Sequence, residues 1–378
     1  MRIVLFYHSL ISDWNHGNAH FLRGVVTELL QAGHDVTVFE PLGGWSLDNL
    51  LEEHGDHARL AFHDAYPKLQ SEFYEPERLD LDRALDGADL VIVHEWNDHD
   101  VVARIGQYRH SSGDFRLLFH DTHHRSVSQP EEMQAYDLRH YDGVLAFGEV
   151  ISEIYRERDW AERVWTWHEA ADARKFRPLE ADRTDGELVW IGNWGDDERT
   201  DELQTFVFEP VDELGLDATV HGVRYPDEAV ERLERAGLDY RGWLPNFEVP
   251  RAFSRHRLTV HVPRQFYVTS LPGIPTIRPF EAMACGIPLV CSPWEDAEGL
   301  FRRGHDHLVA HDKAEMKETI RALCHDDDMV AELARNGRET ILERHTCAHR
   351  VEELMEVCRE LGMDAPERDD ARLSPPRA

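Results

Sequence analysis

Short, wholly apolar runs recur along this chain, each closed by polar residues and separated from the next by an amphipathic stretch. RIVLFYHS, at the start, is the first. A strand covered on both faces reads as a continuous apolar run, because neither face meets water. Residues Ala19 to Gln31 follow with Phe21, Val25, Leu29 and Leu30 at helical spacing. Gly33 is placed to stop that helix, and DVTVFEP returns as the next strand. DLVIVHEW (89–96), FRLLFHD (115–121), GVLAFGE (143–149) and RVWTWHE (163–169) continue the series, with helical segments such as Ile151 to Arg156 between them. Alternation of this kind predicts an α/β fold with a parallel sheet and right-handed crossovers.

The pattern then stops and restarts. FRPLEADRTDGE (176–187) is polar, carries Pro178 and Gly186, and reads as a linker. ELVWIGN (187–193), DATVHG (217–222), RLTVHVPR (257–264) and IPLVCS (287–292) form a second series, mostly helix follows from Lys313, and VEELMEVCREL (351–361) is the last helix. The reading is an N-terminal domain over 1–175, a second domain over 185–347 and a mobile, apolar-poor tail over 366–378. In open α/β sheets ligands sit beyond the carboxyl ends of the strands. Those ends carry His8-Ser9, His94-Glu95-Trp96, His120-Asp121, Gly148-Glu149, His168-Glu169, Gly192-Asn193 and Pro263-Arg264. Two such sheets facing each other would make one deep cleft.

Charge limits the partners. Lys and Arg number 41 against 73 Asp and Glu, a formal net charge of −32. Such a surface repels polyphosphate and anionic lipid, so nucleic acid and membrane docking are not expected, and any anion must be met by a few placed arginines. No run of about 20 apolar residues is present, and the start lacks the h-region and cleavage site of a signal peptide. The five cysteines, Cys285, Cys291, Cys324, Cys347 and Cys358, include no CxxC pair. They read as reduced thiols of a cytoplasmic protein. The excess of acid over lysine fits either a GC-rich genome or adaptation to high salt.

TIRPFEAMACGIPLVCS (276–292) is the most informative stretch. Pro279 suits a first helical turn, Gly286 can end the helix, and the helix start offers unpaired N–H groups to an anion beside Arg278. Arg278, Phe280-Glu281, Ala282 and Ala284-Cys285-Gly286 resemble the donor-site motif of GT-B glycosyltransferases, enzymes of two Rossmann-like domains. The closest resemblance is to the CgeB-like, spore-maturation-type branch, related to the family 4 retaining enzymes. Glu298, Phe301 and Gly304 downstream, and His345-Thr346 with Arg350, extend it. It covers roughly 185–360; the N-terminal half matches by architecture alone.

The resemblance implies a GT-B fold whose last helix, about 348–365, crosses back to the first domain. It also implies a hexosyltransferase-like reaction, retaining and without metal or cofactor, that moves a sugar from a nucleoside diphosphate to a hydroxyl acceptor. Glu281 would accept the ribose hydroxyls, and Phe280 and Arg278 would share the donor site. Arg199 and Arg264 would face the diphosphate, Gly192 and Asn193 would line the strand end, and Trp243-Leu244 would lie against the base. The related group has a second Glu eight positions before Glu281, where this chain has Gly273. In the first domain the loop 12–18, with Asp13, Gly17 and Asn18, would sit at the donor–acceptor junction, and Asp121, His123 and His20 are the catalytic candidates. Two other readings stay open. One is an epimerase, nucleotide-sugar hydrolase or binding protein on the same fold. The other is a metal-dependent hydrolase using His94, Glu95, Asp98, His99 and Asp100 with His120, Asp121, His123 and His124.

Overall fold

The computed structural model describes residues 1–195 and 198–365, so the proposed tail at 366–378 lies outside the described residues. The chain divides into two compact units. Unit 1 is Met1–Glu169 with the described residues from Cys347 on; unit 2 is Ala170–Thr346, which contains the polar stretch 176–187.

Unit 1 holds seven strands, β1 (Arg2–Phe6), β2 (Asp35–Pro41), β3 (Ser71–Tyr74), β4 (Leu90–His94), β5 (Arg116–Asp121), β6 (Gly143–Ala146) and β7 (Val164–Thr166). They form one sheet in the order β3-β2-β1-β4-β5-β6-β7. Its pairings are all parallel, with Ile3 opposite both Val36 and Leu90. All of β4 and β6 is buried, as the continuous apolar runs require. Two features were not foreseen: the short edge strand β3 and the helices Trp45–His54 and Asp56–Ala65.

Helix α1 (Ala19–Gln31) follows β1, and Gly33 beyond it has φ +84°, the left-handed stop expected there. Arg23 on α1 is fully buried. It donates to the carbonyls of Leu10 and Ile11 at 2.8 and 2.7 Å and pairs with Asp13 at 2.8 Å, clamping the loop that follows β1. The helix Cys347–Glu360 packs on α1; Trp167 Nε1 donates to the Arg350 carbonyl at 2.8 Å, and Arg350 Nε donates to the His168 carbonyl at 2.9 Å.

Unit 2 holds β8 (Gly186–Ile191), β9 (Ala218–His221), β10 (Leu238–Tyr240), β11 (His256–His261), β12 (Leu289–Cys291) and β13 (Leu308–Val309), in the order β10-β9-β8-β11-β12-β13. Alternate residues of β8 serve opposite faces. Leu188 and Trp190 join a cluster with Val260, Val290 and Ile320, while Val189 and Ile191 join another with Phe253, Phe280 and Ile341. None of the five cysteines is bridged. Among the described residues no helix is long and apolar enough to cross a membrane.

In both sheets the order reverses beside the first strand of the unit, between β1 and β4 and between β8 and β11. At such a point the crossovers leave on opposite faces and a crevice opens at the carboxyl ends. Beside that crevice in unit 2, the backbone beyond β8 and β9 is tightly packed. A Cβ on Gly222 would lie 2.1 Å from the Gly192 carbonyl oxygen, part of the backbone. Gly222→Ala is therefore expected to destabilise unit 2 by about 1–3 kcal/mol, read as a lower urea midpoint with an unchanged slope.

Candidate functional site

At the switch point of unit 2 the chain concentrates positive charge. Arg199 is 9% exposed. It donates to the Val262 carbonyl at 3.0 Å, to the Asn193 carbonyl and, at 3.5 Å, to the Trp194 carbonyl, tying the loop after β8 to the loop after β11. Those three bonds leave two of the five guanidinium N–H groups for another acceptor. Its guanidinium also lies 5.4 Å from the Trp190 ring centroid. Burial, with the charges of Arg264 and Arg278 among the lesser causes, pushes Arg199 down to about 10.

Arg264 is half-buried at the start of the loop after β11 and pairs with Glu198 at 3.3 Å. Arg278 lies in helix α2 (Ile277–Cys285) and pairs with Glu281 one turn on. Glu281 is fully buried and also accepts from Asn246 Nδ2 at 2.6 Å. The helix begins at Thr276, which has φ +55° and gives no side-chain cap, and ends at Gly286 in the left-handed region. His261, the last residue of β11, is buried, and its Nδ1 has no hydrogen-bond partner among the described residues. Burial, then the charges of Arg199 and Arg278, push it down to about 3, so it is neutral.

The other donor candidates divide. Gly192 N donates to the His221 carbonyl at 2.9 Å, and Asn193 Oδ1 accepts from Val223 N at 3.0 Å, so both brace the crevice wall. Trp243 and Leu244 are partly buried just beyond β10, Leu244 against the apolar core. Phe280 is placed differently from the expectation. It is fully buried, with ring centroids 5.3 Å from Phe301 and 5.7 Å from His345, so it anchors α2 from beneath rather than lining a ligand site. At Gly273, with φ +96°, a Cβ would meet Glu298 Cγ at 3.0 Å and Oε1 at 3.1 Å. A carboxylate thus stands beside the position where the resembled group carries its second Glu.

In unit 1 the candidates sit at the ends of β1, β4 and β5. Asp121 is fully buried; it accepts from His123 N at 3.1 Å and from Tyr155 Oη at 3.0 Å, and burial pushes its carboxyl up to about 6. Glu95, equally buried, accepts from Thr122 N at 2.9 Å and pairs with Arg125 at 3.5 Å. Burial and the neighbouring Asp121 raise its carboxyl well above the ordinary range. The two carboxyls hold the 121–125 loop from below, so Asp121 positions that loop instead of meeting a ligand. His20 is buried in the first turn of α1, while His123 is half-buried beside Trp96, ring centroids 5.4 Å apart. Of the three catalytic candidates, His123 is the accessible one.

The loop 12–18 is built from its own bonds. Asp13 is held by Arg23, and Ser12 Oγ donates to the Ser46 carbonyl at 2.8 Å. Asn18 Nδ2 donates to Glu169 at 3.4 Å, and Gly17 is exposed.

The geometry does not favour the metal reading. His94 Nε2 bonds Thr122 Oγ1 at 2.8 Å, His120 Nδ1 bonds Tyr7 Oη at 2.5 Å, and Asp98 and Asp100 face solvent. Among the described residues no three His, Cys, Asp or Glu side chains are disposed to hold a metal ion. Sequence reasoning missed Arg23 and Asn246. A lone Arg among the apolar residues of α1 was a usable signal for the first; nothing in the sequence marks the second.

Residues 199–356 match the glycosyl transferase-like family model. No curated protein matches the chain. Solved structures of similar fold include an Anabaena protein, HepE, in complex with UDP and glucose, at TM-score 0.66 and 14% identity over 95% of this chain and 99% of that one. An α-glucosyltransferase bound to UDP and a 13-mer DNA reaches 0.68 at 12%, over 95% and 99%. Sucrose-phosphate synthase from Thermosynechococcus elongatus reaches 0.62 at 14%, over 96% and 99%. Two parallel α/β units built on these sheet orders are the GT-B glycosyltransferase fold.

The buried histidines give the site a pH signature. In unit 2, burial lowers His221 to about 4, His261 to about 3 and His307 to about 4, and lowers His256 as well; Asp296 is raised and opposes them. A depressed histidine leaves the unfolded chain with the extra proton between its folded value and about 6.5, so stability rises with pH across that window. The raised carboxyl works the other way, but four groups outweigh one. The urea midpoint of the unit 2 transition should rise from pH 4 to pH 6.5; a flat or falling midpoint contradicts the neutral, buried imidazoles.

Proposed function

We propose that the protein is a glycosyltransferase that moves a hexose from a uridine diphosphate sugar to a hydroxyl acceptor. The observation that carries this reading is the set of Arg199, Arg264 and Arg278 around the unit 2 switch point, with buried Glu281 at its edge. Three guanidiniums near one another, the first dehydrated, repel each other until an anion arrives, and a diphosphate supplies at least two negative charges within their reach. Glu281, held from two sides by Arg278 and Asn246, is oriented to accept a ribose hydroxyl pair. The choice of uridine follows the UDP named with the similar structures.

Charge develops on the leaving diphosphate as the glycosidic bond breaks. Arg199, Arg264, Arg278 and the uncapped start of α2 are fixed dipoles and charges for it, which is why the reaction needs no metal. Retention of configuration is what the sequence resemblance implies, with Glu298 beside Gly273 as the second carboxylate near the sugar. His123 is the group for the acceptor hydroxyl. The DNA acceptor of one similar structure is not carried over, because a chain of net charge −32 repels a polyphosphate.

Two kinetic outcomes test this. Arg199→Ala should cost about 100-fold in kcat by removing charge that matters most in the transition state. Glu281→Gln should raise the donor KM by about tenfold, the loss of roughly one charged hydrogen bond. UDP-sugar turnover should persist in excess EDTA. Wild-type kinetics from both variants, or activity that EDTA abolishes and manganese restores, overturns the assignment.

A further inference from the structure

The carboxyl ends of β2, β1 and β4 in unit 1 carry a row of rings that the transfer chemistry does not use. Trp45 opens the helix after β2, His8 follows β1, and His94 closes β4. They stack in order. The Trp45 and His8 centroids are 5.2 Å apart at 17°, His8 and His94 6.0 Å at 23°, and His94 and Tyr7 4.6 Å at 17°. Trp96, after β4, meets Trp45 edge-on at 6.4 Å. The stack crosses the switch point between β1 and β4, where this fold binds ligands.

Two features show that the row is more than packing. Trp45 is 37% exposed and Trp96 is half-buried, so large apolar rings are kept at the surface. His8 is 3% exposed, yet neither of its ring nitrogens has a hydrogen-bond partner among the described residues. A buried donor left unpaired is destabilising, and a ligand that bonds it relieves that cost.

The surrounding charges select the ligand. Burial pushes His8 down to about 3 and holds His16 and His94 well below the ordinary imidazole range, so the row is neutral at pH 7. The guanidiniums nearest it are already engaged, Arg23 by Asp13 and Arg125 by Glu95. Arg125, 4.9 Å over the Trp96 ring, is also spent on the Glu95 carbonyl and Tyr136, so among the described residues no guanidinium beside the row is left open to a phosphate or carboxylate. A flat aromatic ligand would stack but leave the imidazole edge unpaired. A pyranose offers a C–H face for an indole and hydroxyls around its rim for the imidazole.

We propose that this row of rings is the acceptor subsite and that it takes a neutral saccharide, its C–H face on Trp45 and Trp96 and a hydroxyl on His8. The word acceptor rests on the transferase reading above; saccharide binding does not. The step is then attack of a saccharide hydroxyl oxygen on the donor's anomeric carbon. A C–O bond to the acceptor forms, the C–O bond to the diphosphate breaks with its electron pair leaving on UDP, and the hydroxyl proton passes to the departing diphosphate oxygen.

Saturation-transfer NMR on the full chain tests this with maltose, cellobiose and lactose, against glucose 6-phosphate and 4-nitrophenol, each at about 10 mM to reach millimolar affinities. At least one disaccharide should bind, with transfer strongest on its ring C–H protons. Trp45→Ala and Trp96→Ala should each weaken it about fivefold or more. His8→Phe, which keeps the stack and removes the nitrogens, should weaken it similarly. No disaccharide signal, a signal that survives both tryptophan variants, or a preference for 4-nitrophenol or the phosphate overturns the proposal. UDP binding in the same samples separates the two claims. Saccharide without UDP sinks the transferase reading alone, and UDP without saccharide sinks this subsite alone.

Discussion

A guanidinium taken almost wholly out of water is expensive, and Arg199 is such a group in a chain that carries 73 acidic residues. Among the described residues no carboxylate forms an ion pair with it. Backbone carbonyls do the work, from Asn193 and Trp194 after β8 and from Val262 after β11. Those carbonyls can converge only because the two strands are neighbours whose crossovers depart on opposite faces. The sheet order thus creates the place, the arginine closes it, and Arg264 and Arg278 raise its potential. Acid elsewhere on the surface keeps polyanions away, while the crevice, in the proposed reading, retains affinity for one compact anion.

The two units share a topology and differ in what their switch points hold. Unit 2 gathers cations around buried Glu281, whereas unit 1 gathers neutral rings over a buried carboxyl pair, Glu95 and Asp121, both raised by burial. Like charges cannot share a buried site without one neutralising, and here Glu95, raised the further, holds the β4–β5 loop beside Asp121 at a smaller electrostatic cost. In the proposed reading, one scaffold offers a charged ligand and an uncharged one separate, chemically distinct homes. That division is what a transfer from a charged donor to a neutral acceptor requires.

Much of this was legible before any coordinates. The central strands of both sheets read correctly because burial on both faces leaves continuous apolar runs, whereas the short edge strands β3 and β13, only partly buried, did not. Gly33 and Gly286 marked helix ends because only a glycine takes the left-handed stop without strain. Arg199, Arg264 and Arg278 stood out as cations at strand and helix ends. Side-chain direction was not legible. Phe280 precedes Glu281, the residue proposed to meet the ribose, by one residue, about 100° around a helix, and that rotation carries it into the core. Asp121 ends a strand whose pleat turns it inward to Tyr155. The ring row escaped because Trp45 and Trp96 lie 37 and 88 residues from His8 in sequence. Proximity of that kind is a property of the sheet order alone.

The central claim is that unit 2 recognises a diphosphate through placed arginines in an acidic protein. Calorimetric titration with uridine, UMP and UDP in the same buffer tests it most directly. The account predicts a steep rise in affinity with each phosphate, UDP binding about 100-fold or more above uridine, and a weakening as salt screens the contact. Equal affinity for uridine and UDP would contradict it.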